Sequence, residues 1–471
     1  MASKQKHLAL STLLAATFMG IIDTSIINVA SPSIQKTLPA SFEQVQLIIA
    51  GYVIAYGIGL VVGGRLGDAY GRKCIFQIGL ASFVIMSLAC AIAPNAPLLI
   101  IARILQGLSG AFMLPQVLST IQVLYNGPAR AKVLGYYGAT IGIASIAGQI
   151  VGGALISLNL FNLGWRWVFL VNIPIGLIAL AASIRNVPES KSSTPVKIDV
   201  GGSLLLALTI GALLYPLVAT LHVGWSAGFT AMIILSVVAA ISFLKWERKV
   251  EGRNKEPLVR LGLFKQSSFR VGMLTVLAFY GGNAGLYLVL AYFFQSGLHL
   301  TPLVSGIGYA PLGIGFMVAS LFSKRLVEKY GMKVLISGAG LMMLSFVLLG
   351  LLLNHNPSPL SFSIPLLISG IGEGLIAVTL IGKVLAGIDS SIAGLASGAL
   401  LTMTQIANVL SVILTGTLFS SLLARRNGDH TYAYAFGGCL IWLFVLAAVA
   451  AGLLKHLDRI EKSELLLSEH F

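Results

Sequence analysis

Charged side chains are scarce in this 471-residue chain: 10% of its residues are Asp, Glu, Lys or Arg, against about 25% in a typical soluble domain. With 56% hydrophobic residues, most segments have no polar face to offer water, which excludes an ordinary soluble fold. Cysteine is rarer still. Cys74, Cys90 and Cys439 lie in or beside apolar runs, so neither a disulfide framework nor a metal-ligand spacing is suggested, and they read as packing residues. Long hydrophilic insertions are missing. The longest, Arg185 to Asp199 and Lys245 to Arg270, contain Pro188, Pro195 and Pro257 and read as extended connectors, too short for a second domain. No glycine cluster has the strand-to-helix context of a phosphate loop. Gly57, Gly59, Gly63, Gly64, Gly281 and Gly282 fall inside apolar runs and read as close-packing residues, which excludes a nucleotide-binding motor.

Long apolar runs are what the chain does have. In a bilayer every backbone N–H and C=O must be satisfied within the spanning segment or by a closed barrel, and runs of about 20 apolar residues fit helices. Fourteen such spans are predicted. The first six are Leu8 to Ala30, Phe42 to Gly64, Cys74 to Ala93, Pro97 to Ser119, Val133 to Leu155 and Val168 to Ile184. Val200 to Ala219 and Ser226 to Leu244 follow. The last six are Val271 to Tyr292, Pro302 to Phe322, Val334 to Leu353, Ser361 to Gly382, Ala396 to Ser420 and Tyr432 to Leu454. The expected fold is therefore an all-α polytopic membrane protein. Its domains read as a six-helix bundle over 1–186, an extra helix pair over 187–250, and a second six-helix bundle with a cytoplasmic tail over 251–471.

Basic residues set the orientation. With the N-terminus inside, all but Lys36, Arg103, Arg166, Arg425 and Arg426 of the 31 Lys and Arg residues fall in cytoplasmic loops, tails or helix ends. Both termini are then cytoplasmic and the location is the cell's inner membrane. The same bias explains the net charge of +15 without a nucleic-acid partner. The densest basic loop, Lys245 to Arg270, would lie against anionic headgroups. Trp165, Trp167 and Trp225 are expected at outer interfaces and Trp246 at an inner one. No cleavable signal peptide is evident, since the first apolar run is long and carries Asp23.

Two stretches repeat one polar turn. Arg65, Leu66, Gly67, Asp68, Ala69, Tyr70, Gly71, Arg72, Lys73 returns as Arg325, Leu326, Val327, Glu328, Lys329, Tyr330, Gly331, Met332, Lys333. Each copy joins two apolar spans, as expected of a chain built from repeated halves, an arrangement common in transporters.

Led by Gly64, the first of these turns resembles the signature loop between helices two and three of the major facilitator superfamily. Arg103, Ile104, Leu105, Gln106, Gly107 resembles its fourth-helix motif. The run from Asp23 to Pro32 (DTSIINVASP) and that from Trp165 to Gly176 (WRWVFLVNIPIG) resemble the 14-helix drug/proton antiporter branch. The resemblance implies two six-helix bundles plus two extra central helices, alternating access, and no cofactor or metal. One departure stands out: the antiporter motif of helix five usually has proline after its first glycine, and here Gly148 is followed by Gln149. Gln149 is a candidate substrate contact or an interhelical hydrogen-bonding group. The resemblance also implies that Asp68 and Arg72, with Gly64 and Gly71, latch the cytoplasmic side, and Gly67 and Gly71 permit close approach there.

Charged groups inside hydrocarbon cost at least about 2.5–3.5 kcal/mol each, so they face a cavity or a partner. Asp23, Arg103 and Glu373 are the three set away from helix ends. The family's central cavity is lined by the first and fourth helices of each half, and Asp23, Arg103, Asn283 and Glu373 fall one on each of these. At 1.5 Å per residue Asp23 and Arg103 both lie roughly 10 Å below the outer surface, where they could pair. Asn283 and Glu373 fall near the midplane, where such transporters bind their cargo. Glu373, assisted by Asp23, is the expected proton-coupling group, because a buried acid in a cavity that opens to each side in turn can trade a proton for cargo. The alternative is that Asp23 and Arg103 form a permanent ion pair and that Glu373 hydrogen-bonds a neighbouring helix. Asp199 reads as the cap of the seventh span and Lys383 as a snorkelling side chain.

The predicted cargo is a small molecule, with protons as coupling ion, membrane lipids around it and a monomeric protein. Two acidic residues favour a cation, with Tyr52, Tyr56, Tyr280 and Tyr287 as possible aromatic faces, while Arg103 argues the other way. Proton-coupled export of an amphipathic compound leads. A dedicated metabolite or siderophore exporter, or an uptake symporter, stays open because of Gln149. A receptor or enzyme is disfavoured, as no catalytic constellation appears.

Overall fold

A computed structural model describes residues 3–191, 199–223, 226–252, 260–353, 358–385, 388, 393–426, 428 and 430–468. Every regular element among them is helical. In chain order these are α1 (Ser3–Thr37), α2 (Phe42–Tyr70), α3 (Arg72–Ile92), α4 (Ala96–Leu124), α5 (Gly127–Leu158), α6 (Trp167–Leu170), α7 (Asn172–Asn186), α8 (Val200–Val223) and α9 (Ala227–Glu251). They continue as α10 (Ser267–Tyr292), α11 (Pro302–Gly308), α12 (Ala310–Tyr330), α13 (Lys333–Leu352), α14 (Ser363–Leu385), α15 (Ala393–Ala424) and α16 (Thr431–Ser468). Thirteen described helical stretches are long and apolar enough to cross a membrane. The remaining expected span corresponds to α8, whose described apolar stretch, Gly201–Leu213, is shorter. The polytopic all-α architecture read from the sequence is what the chain adopts.

By contact the chain divides into one unit of Met1–Phe243 with Leu300–Ile307 and a second of Leu244–His299 with Gly308–Phe471. In the first, α2 packs along α4, α3 along α4 and α1 along α5, with α8 beside α2. In the second, α12 and α13 both pack on α14, and α10 packs on α15 and α16. Helices run past the apolar spans at their polar ends, because the backbone keeps its hydrogen bonds in water as well as in lipid.

Two spans are interrupted where hydropathy shows a continuous run. The sixth divides at Val171 into α6 and α7, and the tenth at Tyr309 into α11 and α12. Proline explains both. Pro174 has no N–H for the carbonyl of Leu170, nor Pro311 for that of Ile307, so each span drops a helical hydrogen bond within a turn upstream while Val171 and Tyr309 keep helical φ and ψ. A π-helical turn, Phe293–Gly297, ends the ninth span. Asp199 does cap α8, accepting from the Gly202 N–H at 2.9 Å.

Some local expectations fail. Gly59 and Gly63 close-pack as read: a Cβ on Gly63 would meet the carbonyl of Ala111, which Pro115 leaves without its i+4 donor. Gly64 and Gly281 instead face open space, so they are not close-packing residues. Trp165 is no interfacial anchor. It is 1% exposed and donates through Nε1 to Thr37 Oγ1 at 2.6 Å, because the 3₁₀ turn Gly164–Arg166 directs the indole inward. Lys383 pairs with Glu461 on the extension of α16 at 3.3 Å. Trp225, Pro195 and Pro257 lie outside the described residues.

Candidate functional site

The repeated polar turn is almost wholly helical. α2 continues to Tyr70 and α3 starts at Arg72, leaving Gly71 alone between them at φ 109°. The second copy also stops at a glycine of positive φ, Gly331 at φ 63° after α12, with Met332 intervening before α13. In both, the glycine N–H donates to the carbonyl four residues back, Gly67 at 3.0 Å and Val327 at 2.8 Å. A side chain at either glycine would be strained, since φ there favours a residue without Cβ. The two halves thus repeat a positive-φ glycine and its hydrogen bond as well as a sequence.

Around the first turn Arg72 Nη2 pairs with Asp68 Oδ1 at 2.7 Å, both partly exposed. Glu189, which sequence reading did not single out, accepts from the N–H groups of Lys73 at 3.1 Å and Cys74 at 3.3 Å. An acid capping the start of α3 satisfies donors the helix leaves free and meets the positive end of its dipole. The Arg72 N–H donates to the Ser190 carbonyl at 2.8 Å, so the chain after α7 is tied to this turn. Gly67 lies against Gln116 and Gly71 against the Glu189 carboxylate.

In the first unit Asp23 on α1 and Arg103 on α4 meet. Arg103 Nη1 lies 2.6 Å from Asp23 Oδ2, with the side chains 1% and 0% exposed. The pair is fully clothed. Gln106 Nε2 and Asn172 Nδ2 donate to Asp23 Oδ1 at 2.9 and 2.7 Å, and both also donate to Ser87 Oγ. Arg103 further donates from Nη1 to Gln106 Oε1 at 2.8 Å and from Nε to the Ile48 carbonyl at 3.4 Å. Its guanidinium stacks over Tyr52, 4.1 Å from the ring centroid. The cation expected at Tyr52 is thus the protein's own arginine. Gln149 on α5 is 3% exposed and stays apart from this network, and its Oε1 has no hydrogen-bond partner. Beside it Gly148 abuts Ser25 of α1, and Gly153 abuts Pro302.

The second unit holds Asn283 and Glu373. Asn283 Nδ2 on α10 donates to Glu373 Oε1 on α14 at 3.0 Å. Three glycines aim the carboxylate: Gly370 and Gly374 lie against the α12 backbone at Leu312 and Phe316, and Gly372 against that of α13 at Gly338. Two neighbouring helices therefore occupy the other faces of α14, and Glu373 is left to point at α10. It is half-buried, and among the described residues no Lys or Arg pairs with it. Tyr280 and Tyr287 are within electrostatic reach, and Tyr287 stacks on Tyr309 with centroids 5.8 Å apart. Chemically the two clusters differ: one is a closed, charge-balanced network, the other a single acid with an amide and phenols beside it.

The two halves match one family model in turn, that of the Major Facilitator Superfamily, over residues 13–205 and again over 200–412. The chain belongs to this superfamily. Among its relatives, the probable actinorhodin transporter of Streptomyces coelicolor is 33% identical over 89% of this chain and 73% of its own length. A puromycin resistance protein of Streptomyces alboniger is 30% identical, covering 94% and 88%. In fold the chain resembles a bacterial homologue of the human lysosomal transporter Spinster, with a TM-score of 0.68, 16% identity and 98% of each chain covered. As a major facilitator the protein is a multi-pass membrane transporter of small molecules and not an enzyme, in agreement with the resemblance its motifs carry.

Proposed function

We propose that this transporter exports a small amphipathic, preferentially cationic compound in exchange for protons, with Glu373 as the exchanging acid. The observation that carries the proposal is the half-buried Glu373 carboxylate, bonded to Asn283 and without a basic partner among the described residues. An acid left in that state can bind a proton or a cationic cargo and release one for the other as the cavity turns. Arg103 no longer argues for an anion, because it is spent on Asp23. Asp23 assists by holding Arg103, and Gln149, with its unpartnered amide oxygen, is a candidate cargo contact with Asn283. The relatives' names support export: they include transporters or resistance proteins for actinorhodin, puromycin and tetracenomycin C, as in the drug-efflux branch. A dedicated metabolite exporter is the second reading, favoured by Gln149 in place of the family's proline.

The bundles over 1–186 and 251–471, with the helix pair of 187–250 between them, would alternate access as a monomer in the cell's inner membrane, both termini cytoplasmic. The Asp68–Arg72 pair, with Gly64 and Gly71, would serve as the cytoplasmic latch. Inside-out vesicles with an imposed acid interior test the coupling. A substrate should alkalinise the interior of wild-type vesicles and leave Glu373→Gln vesicles unchanged, with cysteine accessibility showing that the variant is folded. Equal alkalinisation in that variant removes Glu373 from the mechanism.

A further inference from the structure

Arg425 and Arg426 are two of the few basic residues that the charge bias leaves on the far side of the membrane, and the proposed coupling and cargo site does not include them. Arg426 stands with His430 at the mouth of a groove of about 1150 Å³ in the second unit, above the ~300–1,000 Å³ of ordinary small-molecule pockets. The groove runs between α13 and α16, with Phe346 and Gly350 on one wall and Gly437 and Phe444 on the other. Gly350 faces open space, so a larger side chain there would project into the groove. Arg426, His430 and Tyr434 are all exposed. Among the described residues no carboxylate pairs with Arg426, whose guanidinium lies 5.3 Å from the Tyr434 ring centroid. Asp429, the acid nearest in sequence, lies outside the described residues.

Length identifies the occupant. Tyr434 to Phe444 is ten residue rises along α16, about 15 Å of helix, which is the depth of one leaflet in a core of about 30 Å. The slot is apolar over that depth and cationic only at its mouth. The geometry points to an anionic phospholipid of the leaflet opposite the basic loops, its acyl chain lying against Gly350 and Gly437 and its phosphate on Arg426 and His430. Basic pockets between spanning helices recognise headgroups in this way, and a chain held in a slot between α13 and α16 acts as a wedge between elements of the same bundle.

Photoreactive phosphatidylglycerol, with the reactive group on its acyl chain, tests this in nanodiscs of wild-type protein. Label should concentrate in the peptides bearing Phe346 to Leu353 and Ala433 to Phe444. The double variant Arg426→Ala/His430→Ala should lose about five-fold of that label, while the matched phosphatidylcholine probe, weaker on wild type, should not change. Gly350→Phe should reduce label from both lipids by filling the slot. Label spread over all lipid-facing helices, or undiminished in the double variant, overturns the proposal. So does a dimer that Gly350→Phe dissociates, which would assign the groove to a second copy of the chain. The double variant alters exposed residues only, so it decides the matter even if Gly350→Phe fails to fold.

Discussion

Arg103 illustrates how a charge inside a membrane can be structural and still indispensable. Its guanidinium is 1% exposed, bonded to Asp23, Gln106 and the Ile48 carbonyl, and covered by Tyr52. Removing one member of a buried pair strands the other, at a cost of about 3–5 kcal/mol, whereas removing both costs less. Thermal unfolding of purified protein should therefore show Asp23→Asn and Arg103→Gln each destabilised by about that amount and the double variant milder than their sum. Strict additivity would mean the pair is not coupled. The pairing itself was legible, since the sequence reading expected both residues at one depth and two opposite charges inside apolar spans need a partner. Gln106, Ser87 and Asn172 were not, because a buried amide or hydroxyl needs a partner but its sequence position does not say which one. Gln106 and Asn172 were quoted only as parts of motifs, and their roles depend on helix rotation, which one sequence does not specify.

At the scale of elements, glycine sorts into two kinds that composition cannot separate. Gly370 and Gly374 hold α14 against the backbone of α12, and Gly372 against that of α13. Gly281 sits on α10 with nothing within 4 Å of a would-be Cβ. Gly370→Leu should force α12 and α14 apart, costing about 1–3 kcal/mol or more by overpacking and displacing Glu373 with the helix that carries it. Gly281→Ala should be neutral or stabilise by about 0.5–1 kcal/mol, as Ala favours helix. Folded yield and melting temperature in one detergent compare the two, and a harmful Gly281→Ala would show that the open face is covered. The interruptions at Val171 and Tyr309 escaped the sequence reading for a related reason. Hydropathy averages over a window and registers Pro174 and Pro311 only weakly, while the lost N–H acts on a single carbonyl.

The whole molecule is a duplicated chain whose halves keep the same orientation only if an even number of crossings separates the two glycine turns. Spans three to ten lie between Gly71 and Gly331, so inserting α8 and α9 as a pair preserves the relation and a single added span would reverse it. Both turns are rich in basic residues, which is what the inside of a membrane favours. Cys74 is the one exposed cysteine, Cys90 and Cys439 being buried, and it stands immediately after the first turn. A membrane-impermeant maleimide should then label wild type in inside-out vesicles and not in intact cells. In a Cys74→Ala background, cysteine in place of Lys329 beside the second turn should behave identically. Cysteine in place of Leu360, which is 81% exposed between α13 and α14, should label from intact cells alone. Opposite labelling of Cys74 and the cysteine at Lys329 would mean that α8 and α9 do not cross as a pair, and the halves could not then share one side for their latches. Agreement of those two, with Leu360→Cys opposed, would place both termini with the turns, because two crossings, α1 and α2, precede the first turn and four, α13 to α16, follow the second.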